Sequence, residues 1–433
     1  MTAAARDFPP DFLWGAATSA HQVEGHNVHN DWWAWEQAGR VPEASGAACD
    51  HYRRYAADFD LAASLGHTCH RFSIEWSRIE PSPGRWQDEA LEHYRGVVAA
   101  LRARGLEPVV TLHHFTTPQW LAARGGWAHP GVVDAFTRYV RRVVETLGDQ
   151  VRWWATINEP AVLLHQGYLT GVWPPGVRSG RAVWQAMHHV LRAHVAAYDA
   201  IHAGDAHRLD GRARVSLANY QVRLAPCRTQ AFGDWLATAA RRRAANDLWV
   251  QALHDGYLLL PPLLPGGWGR VESWLDYIGV NYYTRDFIHG DWRRGHPFGE
   301  ACSERHHAAA GERTTMGWEI YPAGLEATLC ALRRFNLPLL ITENGIATAD
   351  DDQRRRFVRG HLAAVARARA AGAPVVGYCY WSLLDNFEWD RGYAQRFGLL
   401  AVDYTTQARC VRDSARWFAQ VCRTGVLTAT PSA

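Results

Sequence analysis

The sequence predicts an α/β chain folded as a single-domain (β/α)8 TIM barrel. Three observations carry that expectation. Strand-like and helix-like segments alternate strictly, which implies a parallel sheet. Eight such repeats occur, with strand candidates beginning near residues 12, 69, 108, 153, 213, 277, 339 and 375; eight units favour a closed barrel over an open sheet. No Gly-x-Gly-x-x-Gly turn follows the first strand, which argues against a dinucleotide-binding sheet. No linker-like stretch divides residues 1–433, so they read as one domain.

The elements follow in order. The first strand, 12–18, leads to Gln22 and Glu24, and a helical stretch covers 51–65. Strand 69–76, helix 88–104, strand 108–113 and helix 131–147 come next. The fourth strand ends in Thr156-Ile157-Asn158-Glu159-Pro160, where the proline stops it. Helix 182–202 carries Val183, Met187, Val190, Leu191, Val195 and Tyr198 at three- and four-residue steps. Strand 213–219, a helical region 241–257 and strand 277–283 follow, and the Gly- and charge-rich stretch 290–315 reads as a long loop. Helix 323–336 leads to Leu339-Leu340-Ile341-Thr342-Glu343-Asn344-Gly345, a short apolar run ending in a carboxylate. Helix 353–371, strand 375–381 and helix 411–422 complete the chain.

Composition narrows the function classes. With 46 basic and 43 acidic residues and no dense basic run, nucleic acid is not an expected partner. Arg241-Arg242-Arg243 and Arg354-Arg355-Arg356 read as solvated helix faces. The 8 cysteines include no Cys-x-x-Cys pair, and the His doublets sit in no His-Glu-x-x-His motif, so neither a metal nor another cofactor is expected. Residues 1–10 lack a signal-peptide pattern, and no apolar run approaches ~18 residues. A cytoplasmic protein with reduced thiols and no membrane partner fits best. The 21 tryptophans suit either sugar stacking or core filling.

In such barrels the site lies at the C-terminal strand ends. The polar residues expected to converge there are Gln22, Glu75, His113, His114, Asn158, Glu159, Asn219, Asn281, Tyr283, Glu343, Asn344 and Glu388. Glu159 and Glu343 follow the fourth and seventh strands, on roughly opposite sides of the mouth. Two carboxylates facing across a cleft lined with amides, hydroxyls and Trp faces suit glycosidic bond cleavage, one protonated and one ionised. Arg71, on the second strand, is placed to hold one of them ionised. The competing reading makes each glutamate a surface residue capping the next helix.

Longer motifs decide between them. Phe12 to Gly25 (FLWGAATSAHQVEG), Arg71 to Ile79 (RFSIEWSRI), Thr156 to Pro160, Ile341 to Gly345 and Trp381 to Trp389 (WSLLDNFEW) together resemble the signatures of the family 1 glycoside hydrolases, the β-glucosidase family. The resemblance spans roughly residues 12–419. It implies a retaining β-glycosidase, exo-acting on the terminal non-reducing β-D-glycosyl unit of a small β-glycoside or oligosaccharide. It implies Glu159 as acid/base and Glu343 as nucleophile. Gln22, His114, Asn158, Tyr283, Glu388 and Trp389 would hold the sugar, with Trp381 as platform and Trp318 on the leaving-group side. Arg71, Asn281 and Tyr283 would steady Glu343. Glucose, galactose and fucose all stay open, as does the oligomeric state.

Two departures stand out: His114 is followed by Phe115 where the family often has Trp, and the segment 346–352 is short and acidic. A 6-phospho-β-glycosidase is the nearest alternative. That branch replaces the sugar-binding Glu with a small residue and adds Lys and Tyr for the phosphate, whereas this chain has Glu388, Gln395 and Phe397. A carboxylate at 388 would repel a phosphate dianion. A non-catalytic sugar-binding relative would lack one glutamate of the pair, and a thioglycosidase would lack Glu159; both glutamates are present.

Overall fold

The computed structural model describes residues 6–205, 211–260, 263–267, 273–290 and 299–427. Eight parallel strands form the barrel: β1 (Leu13–Ala17), β2 (Cys69–Ser73), β3 (Glu107–His113), β4 (Trp153–Asn158), β5 (Arg214–Pro226), β6 (Ile278–His289), β7 (Leu339–Asn344) and β8 (Val375–Trp381). Each pairs with the next in sequence, and β8 closes onto β1 through Leu13↔Gly377 to Ala17↔Trp381. All eight expected strands are present.

The strands are apolar on both faces because both are covered. Cys69, Val109, Trp153, Tyr277, Leu340 and Cys379 fill the barrel interior. Their neighbours Val110, Trp154, Ile278, Leu339 and Tyr378 pack outward against the helices. That is the two-residue period of a strand. Outside, helix Val132–Leu147 buries Val132, Ala135, Phe136, Tyr139, Val140 and Val143. Steps of three and four residues put these on one face. Burial of each large apolar side chain is worth about 1.5–3 kcal/mol. Val140→Asp would place an unpaired carboxylate in that interface and break it.

Three expectations need correction. The helical region near 241–257 is two helices, Phe232–Arg242 and Leu248–Asp255, joined by a π-helical turn, Arg243–Asp247. That turn presents Asn246, whose carbonyl accepts bonds from Asn219 and Gln221 of β5, so the irregularity is fixed by packing on the strand. The stretch expected to be a loop over 290–315 contains the strand Glu300–Ala301, paired with β6, and the short helix Ser303–His306; its residues 291–298 lie outside the described set. Arg354 is not on a solvated face. It is fully buried, donating to Asp351 Oδ1 at 2.6 Å and to the carbonyls of Thr348 and Arg396 at 2.6 and 2.9 Å. An acid three residues earlier and two backbone carbonyls compensate its charge. Arg356 is exposed as expected, while Arg355 is half-buried.

Candidate active site

Irregular register aims the two catalytic-type strand ends. Trp153 points into the barrel, so strict alternation would turn Asn158 outward. The β4–β5 register shifts between Ala155 and Asn158, and Asn158 points inward. On β7, Leu340 points inward, and alternation would send Glu343 to the helices. Shifts after Ile341, in the pairing with β6 and with β8, turn Glu343 inward instead. Asn344 then faces out, donating to the Tyr282 carbonyl at 2.6 Å and accepting from Tyr378 Oη at 2.8 Å. Bulges of this kind re-aim side chains at functional sites. Glu159 has φ of 42°, in the left-handed region, a strain of about 1–3 kcal/mol. It stands at the start of helix Pro160–Leu164 but caps no backbone N–H there.

The side chains form one buried network. Arg71, fully buried, forms an ion pair through Nη1 with Glu343 Oε1. Tyr283 Oη donates to Glu343 Oε2 at 2.6 Å. Arg71 Nη2 donates to Asn158 Oδ1 at 2.7 Å, and Arg71 Nε to Thr111 Oγ1 at 3.1 Å. Asn281 Nδ2 bridges Asn158 Oδ1 at 3.1 Å and Glu159 Oε1 at 2.8 Å. Thr342 Oγ1 donates to Asn281 Oδ1 at 2.6 Å and fixes that amide. Arg71, Asn158 and Asn281 thus link the two carboxyl groups.

The environments of those groups differ. Desolvation, then the charge of Glu343, pushes Glu159 up to about 8; the bond from Asn281 and the charge of Arg71 pull the other way without cancelling it. Glu343 instead receives a guanidinium and a phenol. Burial and the Glu343 charge hold the Tyr283 hydroxyl well above its usual range, so it remains a donor.

Beside this pair lies a second polar group. Gln22 Nε2 donates to the Phe387 carbonyl at 2.9 Å, Asn386 Oδ1 at 3.1 Å and Glu388 Oε2 at 3.2 Å, while its Oε1 accepts from Ser19 at 2.6 Å. Glu388 keeps part of its side chain open to the cleft. Desolvation, then the charge of Glu343, raises it to about 8. Burial, then Arg71, keeps His114 well below its usual range and neutral. Its Nε2 accepts from Asn158 Nδ2 at 3.3 Å, and its Nδ1 is buried with no partner among the described residues. The His114 ring lies nearly parallel to Trp381 and Trp389, with centroids 5.8 and 6.1 Å away.

The model of glycosyl hydrolase family 1 matches residues 4–258 and 267–426. The chain belongs to glycosyl hydrolase family 1. This family 1 hydrolase is 32% identical to β-glucosidase A of Thermotoga maritima, over 96% of its own length and 98% of the relative's. A β-glycosidase structure from Pyrococcus horikoshii superposes with a TM-score of 0.88 at 37% identity, covering 96% of this chain and 95% of that one. The T. maritima β-glucosidase in complex with glucoimidazole gives 0.89 at 30% identity, over 98% and 100%.

The hydrolase brings together Gln22, Arg71, His114, Asn158, Glu159, Asn281, Tyr283, Glu343, Trp381, Glu388 and Trp389. Trp318 stands at the edge, half-buried, with its ring 5.4 Å from Tyr283 and 6.2 Å from Phe397. Four residues expected to converge do not. Asn344 and Asn219 face outward, the latter onto Asn246. Glu75 accepts from Ser77 in its own loop and from Thr116 in the loop after β3. His113 accepts from Trp127 Nε1 at 3.2 Å and contacts Thr117. Strand alternation or a local partner takes each away. The sequence reading missed Thr111 and Thr342, which orient Arg71 and Asn281; Thr111 was recoverable, being two residues beyond the inward Val109 on β3. It also missed the wall made by Phe115 and Trp173, packed on Trp389 at 5.4 and 6.0 Å. Phe115 therefore still forms an aromatic wall at that position.

Proposed function

We propose that this chain is a retaining, exo-acting β-glycosidase of the β-glucosidase type, removing the terminal non-reducing β-D-glycosyl unit from a small β-glycoside or oligosaccharide. The observation that carries the reading is one network holding two carboxyl groups in opposite environments: Glu159 desolvated and facing another carboxylate, Glu343 held by Arg71 and Tyr283. Glu343 attacks the anomeric carbon while Glu159 protonates the departing oxygen. The C–O bond breaks, and a glycosyl ester forms on Glu343. That ester removes the negative charge that helped keep Glu159 protonated. Glu159 then ionises, takes a proton from water, and the water cleaves the ester with a second inversion. Net retention follows.

Trp381 supplies the floor for the sugar ring, and Gln22, His114 Nδ1, Asn158, Glu388 and Trp389 Nε1 supply hydroxyl partners. Trp318 borders the leaving group. The likeness to relatives named β-glucosidase, one bound to glucoimidazole, supports a gluco-configured substrate. Gln395 and Phe397, standing where the phosphate-binding branch has Lys and Tyr, disfavour a phosphorylated sugar. The whole chain acts as one barrel domain and draws on no cofactor. Its place is the cytoplasm, where its eight free thiols stay reduced; no helix among the described residues is long and apolar enough to cross a membrane.

The test is turnover of aryl β-glucosides, β-galactosides and β-fucosides, with the first-formed sugar followed by proton NMR. The β-anomer is expected first, and the fastest substrate names the sugar. An α-anomer appearing first, or turnover confined to 6-phosphoglycosides, overturns the reading.

A further inference from the structure

Away from the glutamate pair, five thiol and imidazole side chains meet where three segments converge. Cys227 follows directly after β5, and His289 ends β6. Cys302, His306 and His307 lie in and around the short helix Ser303–His306. The Sγ atoms of Cys227 and Cys302 and a ring nitrogen of His307 lie within 4.8 Å of one another, as do ligand atoms of Cys227, His289 and His306. Cys227 Sγ is 3.3 Å from His306 Nδ1 and 3.4 Å from His307 Nε2. Two ligands bound to one zinc ion at ~2.3 Å (S) and ~2.0 Å (N), at a tetrahedral angle, lie roughly 3.5 Å apart. These contacts already have nearly that spacing.

The surroundings fix the donors. His307 stacks on Phe287, with centroids 3.7 Å apart and planes at 9°. Cys302 is buried, and its backbone N–H donates to the Phe287 carbonyl at 2.9 Å. One β6 residue thus positions both. His289 Nδ1 is buried with no hydrogen-bond partner among the described residues. No carboxylate belongs to either group, so a hard cation such as calcium or magnesium has no suitable ligand here. Thiolate and imidazole together select a borderline or soft metal.

We propose that Cys227, Cys302 and His307 bind one zinc-class divalent cation. The two cysteines bind as thiolates, so loading releases two protons to solvent and oxidises nothing. The three protein ligands leave the fourth position to water and hold the ion between separate segments. Its effect is to tie the end of β5, the Phe287 end of β6 and the segment 302–307 into one unit. That segment lines a cavity of about 460 Å³ together with Asp286, Trp318 and Glu319. The metal would therefore set the shape of the outer leaving-group side. Short-spacing motifs miss such a site because its ligands come from distant segments.

The experiment uses the full chain, purified under reducing conditions and stripped with a chelator. Zn²⁺ is titrated by calorimetry and Co²⁺ by absorption. Wild type is expected to take up one Zn²⁺ per chain with a submicromolar Kd and to show a thiolate-to-cobalt charge-transfer band. Cys227→Ser and His307→Ala should each weaken Zn²⁺ by at least ~100-fold, and Cys227→Ser should also diminish the band. Cys410→Ser, at an exposed thiol elsewhere, should change neither. Wild-type affinity weaker than micromolar, or cobalt binding without a thiolate band, overturns the proposal. So does a Cys227–Cys302 disulfide found by mass spectrometry in protein purified without reductant. The wild-type titration decides the matter even if a variant fails to fold.

Discussion

The two sides of the glutamate pair are built differently. On the sugar side, Gln22, His114, Asn158, Trp381, Glu388 and Trp389 come from strand ends and the turns after them; all but Glu388 are buried, Gln22 bonds to Glu388, and Asn158 to His114. On the leaving-group side, Trp318 is half-buried and borders a cavity formed partly by the short segment 302–307. Packed, satisfied polar groups are costly to leave unpaired, so they discriminate between substrates. A half-exposed indole offers contact area with little directional demand. The sugar side should therefore be strict and the leaving-group side permissive.

Four measurements test that contrast. The largest effect is expected at Glu343, which serves both sides. Glu343→Gly should lower kcat by at least about a thousandfold, and added azide should restore a reaction giving the α-glycosyl azide. Retention of most activity would remove Glu343 as the nucleophile. In Glu159→Gly, substrates with good leaving groups should keep their first step, and azide should give the β-product.

On the strict side, Glu388→Ser should reduce kcat/KM for neutral glycosides about 5–150-fold, the equivalent of ~1–3 kcal/mol for sugar hydroxyls left unpaired in a buried site. A loss that depends on the aglycone rather than the sugar would reverse the assignment of the two sides.

The third concerns the strain of holding Glu159 in place. Its folded pKa is raised from 4.5 to about 8, so the folded state keeps a proton that the unfolded chain releases above ~4.5. Stability present below the unfolded value is lost as pH rises toward the folded one. Glu159→Gln, which keeps the oxygen that accepts from Asn281, should gain about 1–3 kcal/mol at pH 8 and almost nothing at pH 4. Denaturant melts at the two pH values read this directly; an equal effect at both would show that the gain has another source. The same raised pKa predicts that kcat/KM falls as pH rises through about 8, where the acid form is lost.

The smallest effect belongs to the permissive side. Trp318→Ala should raise KM for aryl glycosides about 2–12-fold, from ~0.5–1.5 kcal/mol of aromatic contact, with kcat nearly unchanged. A large fall in kcat would place Trp318 with the sugar-holding group.

How far the sequence could be read follows the same division. Strand-end residues such as Gln22, Asn158, Tyr283 and Glu388 were legible because a parallel barrel sends its C-terminal ends to one mouth. Glu75, His113, Asn219 and Asn344 satisfied the same rule and point elsewhere: a register shift turns Asn344 outward, strand alternation turns Asn219 onto Asn246, and nearby partners take Glu75 and His113. Arg354 looked like surface, since Asp351 stands one helical turn away but the Arg396 carbonyl that completes its burial comes from a segment distant in sequence.

By itself, then, the sequence determined the eightfold alternation of strand and helix, the closed parallel barrel and the two glutamates at the ends of β4 and β7. Each of these rests on local periodicity and on motifs contiguous in the chain. Tertiary structure alone decided that Glu343 turns inward and Asn344 outward, that Thr342 and Thr111 order the network, and that Cys227 meets Cys302 and His307. The physical reason is that a bulge reverses every later side chain on a strand, and that buried polar groups and metal-type donors are matched by neighbours distant in sequence.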